Sequence, residues 1–447
     1  MDDLKISVSG VRGLVKDGLT PEVTLDFARA FGSYVKGGKV VVARDTRPTG
    51  GLLKDSVFSG LLQTGCSVID IGIAPTPTLL LMVKEFGAVG GIIITASHNP
   101  AGWNGLKFVS SDGIFLTAHQ VTKLLDIWRQ KKFRSVASVS VTRPQTLNCQ
   151  DVYQRHINKV LSYIRAEVIR QRHFTVVLDS CNGAGSIITP MLLGELGCRT
   201  VLINNQLTGA FPHNPEPLPE NLTELCRVVK GEKADIGFAQ DPDADRLAIV
   251  SEKGECIGEE YTLALAARFV LKKTPGVVVT NLSTTKTIDD LAARYKSSVI
   301  RTRIGEINVV EVMKRNNTVI GGEGNGGVII PAINYGRDSL AGIGVILQHL
   351  GESKMPLSKL VATLPQYKMV KTKLDYPQRK IEKLLGKIKD KYKDWPLNQE
   401  DGIKIDLGDS WVHIRPSNTE PVVRIIAEAK TEKKAMQLCG AIRKLAG

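Results

Sequence analysis

Short runs of β-branched and aliphatic residues recur along this chain, each followed by a stretch whose apolar positions repeat every three or four residues. The first set begins at Val40-Val41-Val42, passes a periodic stretch over 52–62 and returns at Val68-Ile69-Asp70-Ile71. The second begins at Val176-Val177-Leu178, passes 187–196 and returns at Val201-Leu202-Ile203. The third begins at Val277-Val278-Val279, passes 288–295 and returns at Val299-Ile300. Gly, Asp and Asn bound the short runs, so each set reads as strand, amphipathic helix, strand. That order closes a parallel strand pair by a right-handed crossover. Three copies predict an α/β protein with three doubly wound βαβ domains of related topology. Near residue 366 the order changes to a strand over 367–374, a lysine-rich helix, strands over 403–407, 411–414 and 422–427, and a closing helix over 432–445. Loss of the βαβ alternation predicts a smaller α+β C-terminal domain. The expected domains are 1–150, 151–252, 253–365 and 366–447.

The length of 447 residues agrees with three or four domains of about 150 residues or fewer. Hydrophobic residues at 43% and charged residues at 23% are ordinary for a globular chain. Apolar runs such as Gly91-Ile92-Ile93-Ile94 fall far short of the ~18 residues of a membrane-spanning helix. The start, Met1-Asp2-Asp3-Leu4-Lys5, carries no secretory pattern. Membrane, secreted and fibrous classes are therefore set aside, and a cytoplasmic location is expected. The seven cysteines show no C-x-x-C spacing and read as scattered reduced thiols. A net charge of +14 favours an anionic partner, either nucleic acid or a small phosphorylated molecule. The basic tract from Arg379 to Lys393 interleaves Leu384, Leu385 and Ile388 and reads as a solvated amphipathic helix. No helix combines clustered Arg with aromatics, and only 5% of residues are aromatic, so few stacking platforms exist for a nucleic acid.

Four loops concentrate the chemistry. Asp241-Pro242-Asp243-Ala244-Asp245-Arg246 sets three carboxylates at alternate positions, which repel unless a hard divalent cation neutralises them. An EF-hand is excluded, because its glycine position is Arg246 and a strand-like run, Leu247-Ala248-Ile249-Val250, follows. A solvated acidic turn is the plain alternative. Thr95-Ala96-Ser97-His98-Asn99-Pro100 follows the strand-like Ile92-Ile93-Ile94, where ligands of α/β domains usually bind. The hydrolase pattern G-x-S-x-G is absent, and adjacency of Ser97 and His98 is no sign of a Ser–His hydrogen bond. Gly322-Glu323-Gly324-Asn325-Gly326-Gly327 matches G-x-G-x-x-G formally, but Val328-Ile329-Ile330-Pro331 reads as a strand rather than the helix a dinucleotide site needs. A glycine turn presenting Glu323 and Asn325 to hydroxyl groups fits better. Arg415-Pro416-Ser417-Asn418-Thr419-Glu420-Pro421 brings together a guanidinium, hydroxyls and turn N–H groups, the elements of a phosphate cradle or of an ordinary hairpin turn.

In this order the four loops resemble the α-D-phosphohexomutase superfamily, which includes phosphoglucomutase, phosphomannomutase and phosphoglucosamine mutase. Ser9-Gly10-Val11-Arg12-Gly13, Arg44-Asp45-Thr46-Arg47 and Asn104-Gly105-Leu106-Lys107-Phe108 extend the resemblance over essentially the whole chain. The resemblance implies four domains around a central cleft, and a Ser97 that carries a phosphoryl group. It implies one Mg²⁺ per chain, held by Ser97, Asp241, Asp243 and Asp245. Arg12 and Arg246 would add fixed positive charge, and Lys107 matches the position given general acid/base work. A lysine among cations is expected to have a lowered pKa. Glu323, Asn325 and Glu306 would read the sugar, and Arg415, Ser417, Asn418 and Thr419 would grip its non-reacting phosphate. The implied reaction interconverts hexose 6-phosphate and hexose 1-phosphate through a hexose 1,6-bisphosphate, which also serves as activator. The loop pattern is closest to the phosphoglucosamine mutase branch, with glucose and mannose phosphates as alternatives. A phosphosugar is the expected partner of a monomer or homodimer. Two departures stand out: Gly327 occupies the place of a usual histidine, and Ala244 that of a usual glycine. The remote alternative is a phosphatase with Asp241 as nucleophile and Asp243 as acid.

Overall fold

The computed structural model describes residues 4–136, 144–416 and 422–446. The chain divides into two compact units, Met1–Ala266 with Asn325–Val361, and Ala267–Gly324 with Ala362–Gly447.

The first unit contains two sheets. In the larger, the strands run in the order Leu4–Ser7, Gly10–Leu14, Trp103–Ser110, Gly90–Ile94, Gly38–Arg44, Cys66–Ile73 and Gln145–Thr146. Gly38–Arg44 pairs in parallel with both Cys66–Ile73 and Gly90–Ile94, which is the expected βαβ unit, and the helix Gly50–Gln63 supplies the crossover. Gly90–Ile94, Trp103–Ser110 and Gly10–Leu14 are antiparallel to their successive neighbours. The strand at Ile92–Ile94 is read from the sequence, but its antiparallel partners Trp103–Ser110 and Gly10–Leu14 stand outside any strand–helix–strand alternation and are not. Phe27 and Phe31 of the helix Pro21–Tyr34 are fully buried, and Phe27 stacks on Trp128 with ring centroids 4.5 Å apart. Burying aromatics of this size contributes much of the free energy that holds a helix on a sheet.

The smaller sheet runs Leu247–Ser251, Ile236–Gln240, Thr175–Asp179, Arg199–Ile203. Thr175–Asp179 is parallel to both neighbours, and the helix Gly185–Glu195 makes the crossover to Arg199–Ile203. Leu247–Ser251 turns back antiparallel, so the three-aspartate loop becomes a tight reversal between two fully buried strands. The helix Ser339–Ser353 is buried from Ser339 to Gly351. Its apolar residues surround the whole axis, so it shows no amphipathic stripe and periodicity cannot identify it.

The second unit contains the third βαβ element, with Ser298–Thr302 and Ile320–Glu323 both parallel to Val277–Asn281. It also holds an antiparallel sheet in the order Lys368–Asp375, Val422–Ala429, Trp411–Pro416, Ile403–Asp406, Leu397–Asn398. The helices Ile381–Lys391 and Glu432–Ala446 bury Ile381, Leu384, Ile388, Leu438 and Ile442 against it. The lysine-rich tract is thus an amphipathic helix, as its pattern predicts. No helix among the described residues is long and apolar enough to cross a membrane.

Candidate active site

A buried arginine builds the serine loop. Arg47 is ion-paired with Asp45 at 3.0 Å and donates to the carbonyl oxygens of Ser97 (2.7 Å), Asn99 (2.6 Å), Pro100 (2.6 Å) and Trp103 (2.8 Å). Thr95 Oγ1 donates to Asp45 Oδ2 at 2.6 Å and accepts from the Ser97 N–H at 2.9 Å. These bonds hold Ser97 at φ +50°, in the left-handed region that costs a non-glycine residue about 1–2 kcal/mol. Such strain persists only where the surroundings over-determine it. Here the surroundings present the Ser97 hydroxyl to the acidic loop.

The Ser97 Oγ donates to Asp241 Oδ2 at 2.9 Å, across 144 residues of sequence. Asp241 Oδ1 accepts the N–H groups of Asp245 (3.2 Å) and Arg246 (3.1 Å). Asp243 Oδ2 accepts Thr76 Oγ1 at 2.6 Å and Lys107 Nζ at 2.5 Å. Asp245 Oδ2 accepts Arg337 Nη2 at 2.5 Å and Lys107 Nζ at 3.5 Å. The second oxygens, Asp243 Oδ1 and Asp245 Oδ1, are buried with no hydrogen-bond partner. One oxygen from each of the three carboxylates lies within 4.8 Å of the others. Burial, then Asp245 and Asp243, push the Asp241 carboxyl well above its ordinary range. Burial pushes Asp243 the same way, but Lys107 and Thr76 outweigh it and hold Asp243 below its range. Three oxygen donors with two orphaned oxygens and mutual repulsion suit a hard divalent cation such as Mg²⁺. Ala244 sits at φ +53°, which explains why glycine is usual there, and its N–H still closes the turn on Asp241 O at 2.9 Å.

Lys107 departs from expectation. Burial and the neighbouring arginines lower its pKa, but Asp243 and Asp245 overcome them, and the net direction is upward. The ammonium is an ion-pair partner rather than a free base. His98 Nδ1 lies 3.3 Å from Ser97 Oγ, a contact on which the adjacency of the two residues carries no information. Burial, then Arg246, Arg12 and Arg337, push the His98 pKa down to about 2, so its ring is neutral. Arg12 Nη1 donates to Asn99 Oδ1 at 2.9 Å, and Arg246 Nη1 pairs with Glu216 at 3.3 Å. Ser97, Lys107, Arg12, Arg246 and the three aspartates are therefore one cluster of the first unit. Thr76, Glu216 and Arg337 belong to it and are not foreseen by the sequence motifs. Arg337-Asp338 stands just before the long apolar stretch of 339–350, which is the one sequence signal that could draw notice to it.

A second set of candidates lies in the other unit. Glu323 ends a strand, is 3% exposed, and its Oε1 accepts Asn281 Nδ2 (2.9 Å) and the Gly305 N–H (3.0 Å). Glu306, also buried, opens the helix Glu306–Arg315. Asp401, another residue outside the motifs, accepts the Ile304 N–H at Oδ2 (3.0 Å) and Arg415 Nε at Oδ1 (2.9 Å). Glu323, the 304–306 turn, Asp401 and Arg415 thus form one connected line. Asn325 falls in the first unit, where its Oδ1 accepts the Gly327 N–H at 3.2 Å. Ser417, Asn418 and Thr419 lie outside the described residues.

Family models match the whole of this architecture. The phosphoglucomutase/phosphomannomutase alpha/beta/alpha domain I matches residues 3–135, domain II 151–254, domain III 258–367, and the C-terminal domain 369–445. The chain belongs to the phosphoglucomutase/phosphomannomutase family, a phosphohexomutase enzyme family within the α-D-phosphohexomutase superfamily. It is 39% identical to a phosphoglucomutase/phosphomannomutase of Thermococcus kodakarensis, over 96% of this chain and 95% of that one. It is 37% identical to a probable phosphoglucosamine mutase of the same organism, over 98% and 97% respectively. Among solved structures, a phosphoglucomutase/phosphomannomutase family protein of Burkholderia thailandensis superposes with a TM-score of 0.87 at 27% identity, covering 99% of this chain and 97% of that one.

Proposed function

We propose that this enzyme interconverts hexose 6-phosphate and hexose 1-phosphate, with Ser97 as the residue that carries the phosphoryl group. The observation that carries the reading is the 2.9 Å contact of Ser97 Oγ with Asp241, inside a buried acidic triad flanked by Lys107 and Arg246. Phosphoryl transfer asks chiefly for in-line positioning and for positive charge around the equatorial oxygens. Asp241, Asp243 and Asp245 would hold Mg²⁺ with Ser97, and the bound ion would supply charge neutralisation at the phosphoryl oxygens. Arg12 and Arg246 supply further fixed charge from the protein. Lys107, protonated against Asp243, serves as a cation and proton donor.

In the proposed cycle Ser97 gives its phosphoryl group to the sugar 6-phosphate, and a 1,6-bisphosphate results. The bisphosphate reorients in place, its 6-phosphoryl group passes back to the Ser97 oxygen while the sugar O6 takes up the proton that the O1 hydroxyl gave up in the first transfer, and the 1-phosphate departs. Glu323, Glu306 and Asn325 would accept and donate hydrogen bonds to the hydroxyls in both orientations. Arg415 with Ser417, Asn418 and Thr419 would hold whichever phosphate is not reacting. A phosphatase with Asp241 as nucleophile fits less well, because both Asp241 oxygens are already engaged, Oδ2 by the Ser97 hydroxyl and Oδ1 by two main-chain N–H groups. The loop pattern and the phosphoglucosamine mutase relative support glucosamine 6-phosphate as the substrate, with mannose and glucose phosphates as the alternative. A coupled assay of the purified chain on the three 6-phosphates, with Mg²⁺ and a trace of hexose 1,6-bisphosphate, tests both levels. Turnover of glucosamine 6-phosphate in clear excess is the expected result. Equal rates on all three would overturn the sugar assignment, and no turnover on any would overturn the mutase reading.

A further inference from the structure

Asp243 and Asp245 are held alike. Each has its Oδ2 capped by a cation at 2.5 Å, Lys107 for Asp243 and Arg337 for Asp245, and each has its Oδ1 buried without a hydrogen-bond partner. A carboxylate pinned through one oxygen cannot swing freely, so the direction of its other oxygen is fixed.

Arg337 reaches Asp245 by a route that depends on one glycine. A Cβ placed on Gly327 would lie 2.2 Å from Arg337 Cδ and 2.8 Å from its Cγ, so the arginine stem runs over the space a side chain at 327 would fill. The need for glycine here is steric: any side chain would push the arginine aside. The segment around Arg337 is anchored independently. Asp338 N–H donates to Val328 O at 2.8 Å, Asp338 Oδ1 caps the helix Ser339–Ser353 through the N–H groups of Leu340 (2.9 Å) and Ala341 (3.2 Å), and its Oδ2 meets His156 Nε2 at 2.8 Å. Ser339 Oγ donates to Ala244 O at 2.6 Å and accepts Gln240 Nε2 at 2.6 Å. Residues 337 and 339 therefore brace the acidic loop at two adjacent positions, Asp245 and Ala244.

We infer that Arg337, admitted by Gly327, is a positioning residue for the divalent-cation site. It fixes Asp245 Oδ2 and so sets the direction of the unpartnered Oδ1, the oxygen that would serve a bound ion, as Lys107 does for Asp243. This rests on the metal reading of the acidic triad given above. It also gives the Gly327 departure a physical meaning: the volume a side chain would take at 327 is occupied by a cation arriving from 337.

The test is calorimetric titration of Mg²⁺ into the full-length, phosphate-free protein. Removing a positive charge near a divalent ion would by itself tighten binding, because repulsion falls. Weaker binding on losing Arg337, measured at a pH well above the carboxylate range so that protons do not compete, therefore runs against the charge effect and reports lost orientation. Arg337→Met is expected to weaken Mg²⁺ binding about tenfold or more, the usual effect of losing a group that orients a ligand. Arg337→Lys is expected to recover most of the affinity. Gly327→Ala is expected to reproduce the loss while Arg337 is present and to add nothing in the Arg337→Met background. Unchanged or tighter binding in Arg337→Met and Gly327→Ala, each folded by circular dichroism, overturns the inference while leaving the mutase reading intact. A wild-type protein that is active on hexose phosphates yet binds no Mg²⁺ overturns both the metal reading and this inference.

Discussion

Two regions of this enzyme handle charge in different ways. In the first unit Asp243 and Asp245 are buried and ion-paired side chain to side chain with Lys107 and Arg337, while the buried Asp241 takes the Ser97 hydroxyl and two main-chain N–H groups. In the second unit Glu323 and Asp401 accept main-chain N–H groups from Gly305 and Ile304, Glu323 also takes the Asn281 amide, and an ion pair at 2.9 Å links Asp401 to Arg415. The first arrangement would fix the atoms proposed to react. The second ties Glu323 and Asp401, the groups proposed to read the sugar and hold Arg415, to loop backbone. The difference matches the division of labour proposed for the reaction, since transfer needs immobile electrostatics whereas one sugar must be read in two orientations.

The sharpest way to break this comparison is Ser97→Ala. Loss of the acceptor hydroxyl is expected to lower turnover by about 10³-fold or more with the fold unchanged, measured by coupled assay and circular dichroism. Activity within tenfold of wild type would remove the first unit from the chemistry. Next is Arg47→Met, which leaves Asp45 buried without its charge partner and frees four carbonyl oxygens of the serine loop. It is expected to cost about 3–5 kcal/mol in denaturant unfolding.

His413 extends the comparison to pH. Its ring is buried between Ser283 Oγ (2.7 Å) and the Asp401 carbonyl (2.6 Å), and burial, reinforced by the nearby Lys404 and Arg415 charges, pushes its pKa down to about 4. The unfolded chain protonates this histidine near pH 6.5 whereas the folded chain resists until about 4. Its contribution is therefore complete above pH 6.5 and is lost as pH falls from 6.5 toward 4, by ~3 kcal/mol in all. His413→Gln should flatten that part of the stability curve, and an unchanged slope would refute the assignment. Asp401→Ala is expected to raise KM for the sugar phosphate about tenfold and to leave kcat and Ser97 phosphorylation nearly unchanged. The smallest effect is Ala244→Gly, which relieves the left-handed strain at φ +53° but gives the unfolded chain more freedom. A net gain of about 0.5 kcal/mol is expected by thermal melts.

What the sequence reveals follows from how far apart the partners are. The three aspartates fall within one short segment and the serine loop within another, so the chemistry of each is visible in a few letters. The parallel βαβ elements are visible too, because each is built from neighbouring segments. Arg337 and Asp245 are 92 residues apart, and Asp401 meets Ile304 across 97, so neither contact leaves a local pattern. The upward shift of Lys107 escapes sequence reasoning for the same cause: the cations around it can be counted, but the two carboxylates that hold it lie 136 and 138 residues away. The antiparallel partners Trp103–Ser110 and Gly10–Leu14 of the first sheet and the helix over 339–353, buried all round from Ser339 to Gly351, carry no amphipathic period to read.

The central claim is that the Ser97 oxygen holds phosphorus during turnover. Purified protein incubated with a hexose 1,6-bisphosphate and Mg²⁺, then digested and mapped by mass spectrometry, tests it directly. The account predicts one phosphate on the peptide containing Ser97, removed again on addition of excess sugar monophosphate. A serine that stays unmodified while the enzyme turns over, or a phosphate found on Asp241 instead, would contradict it.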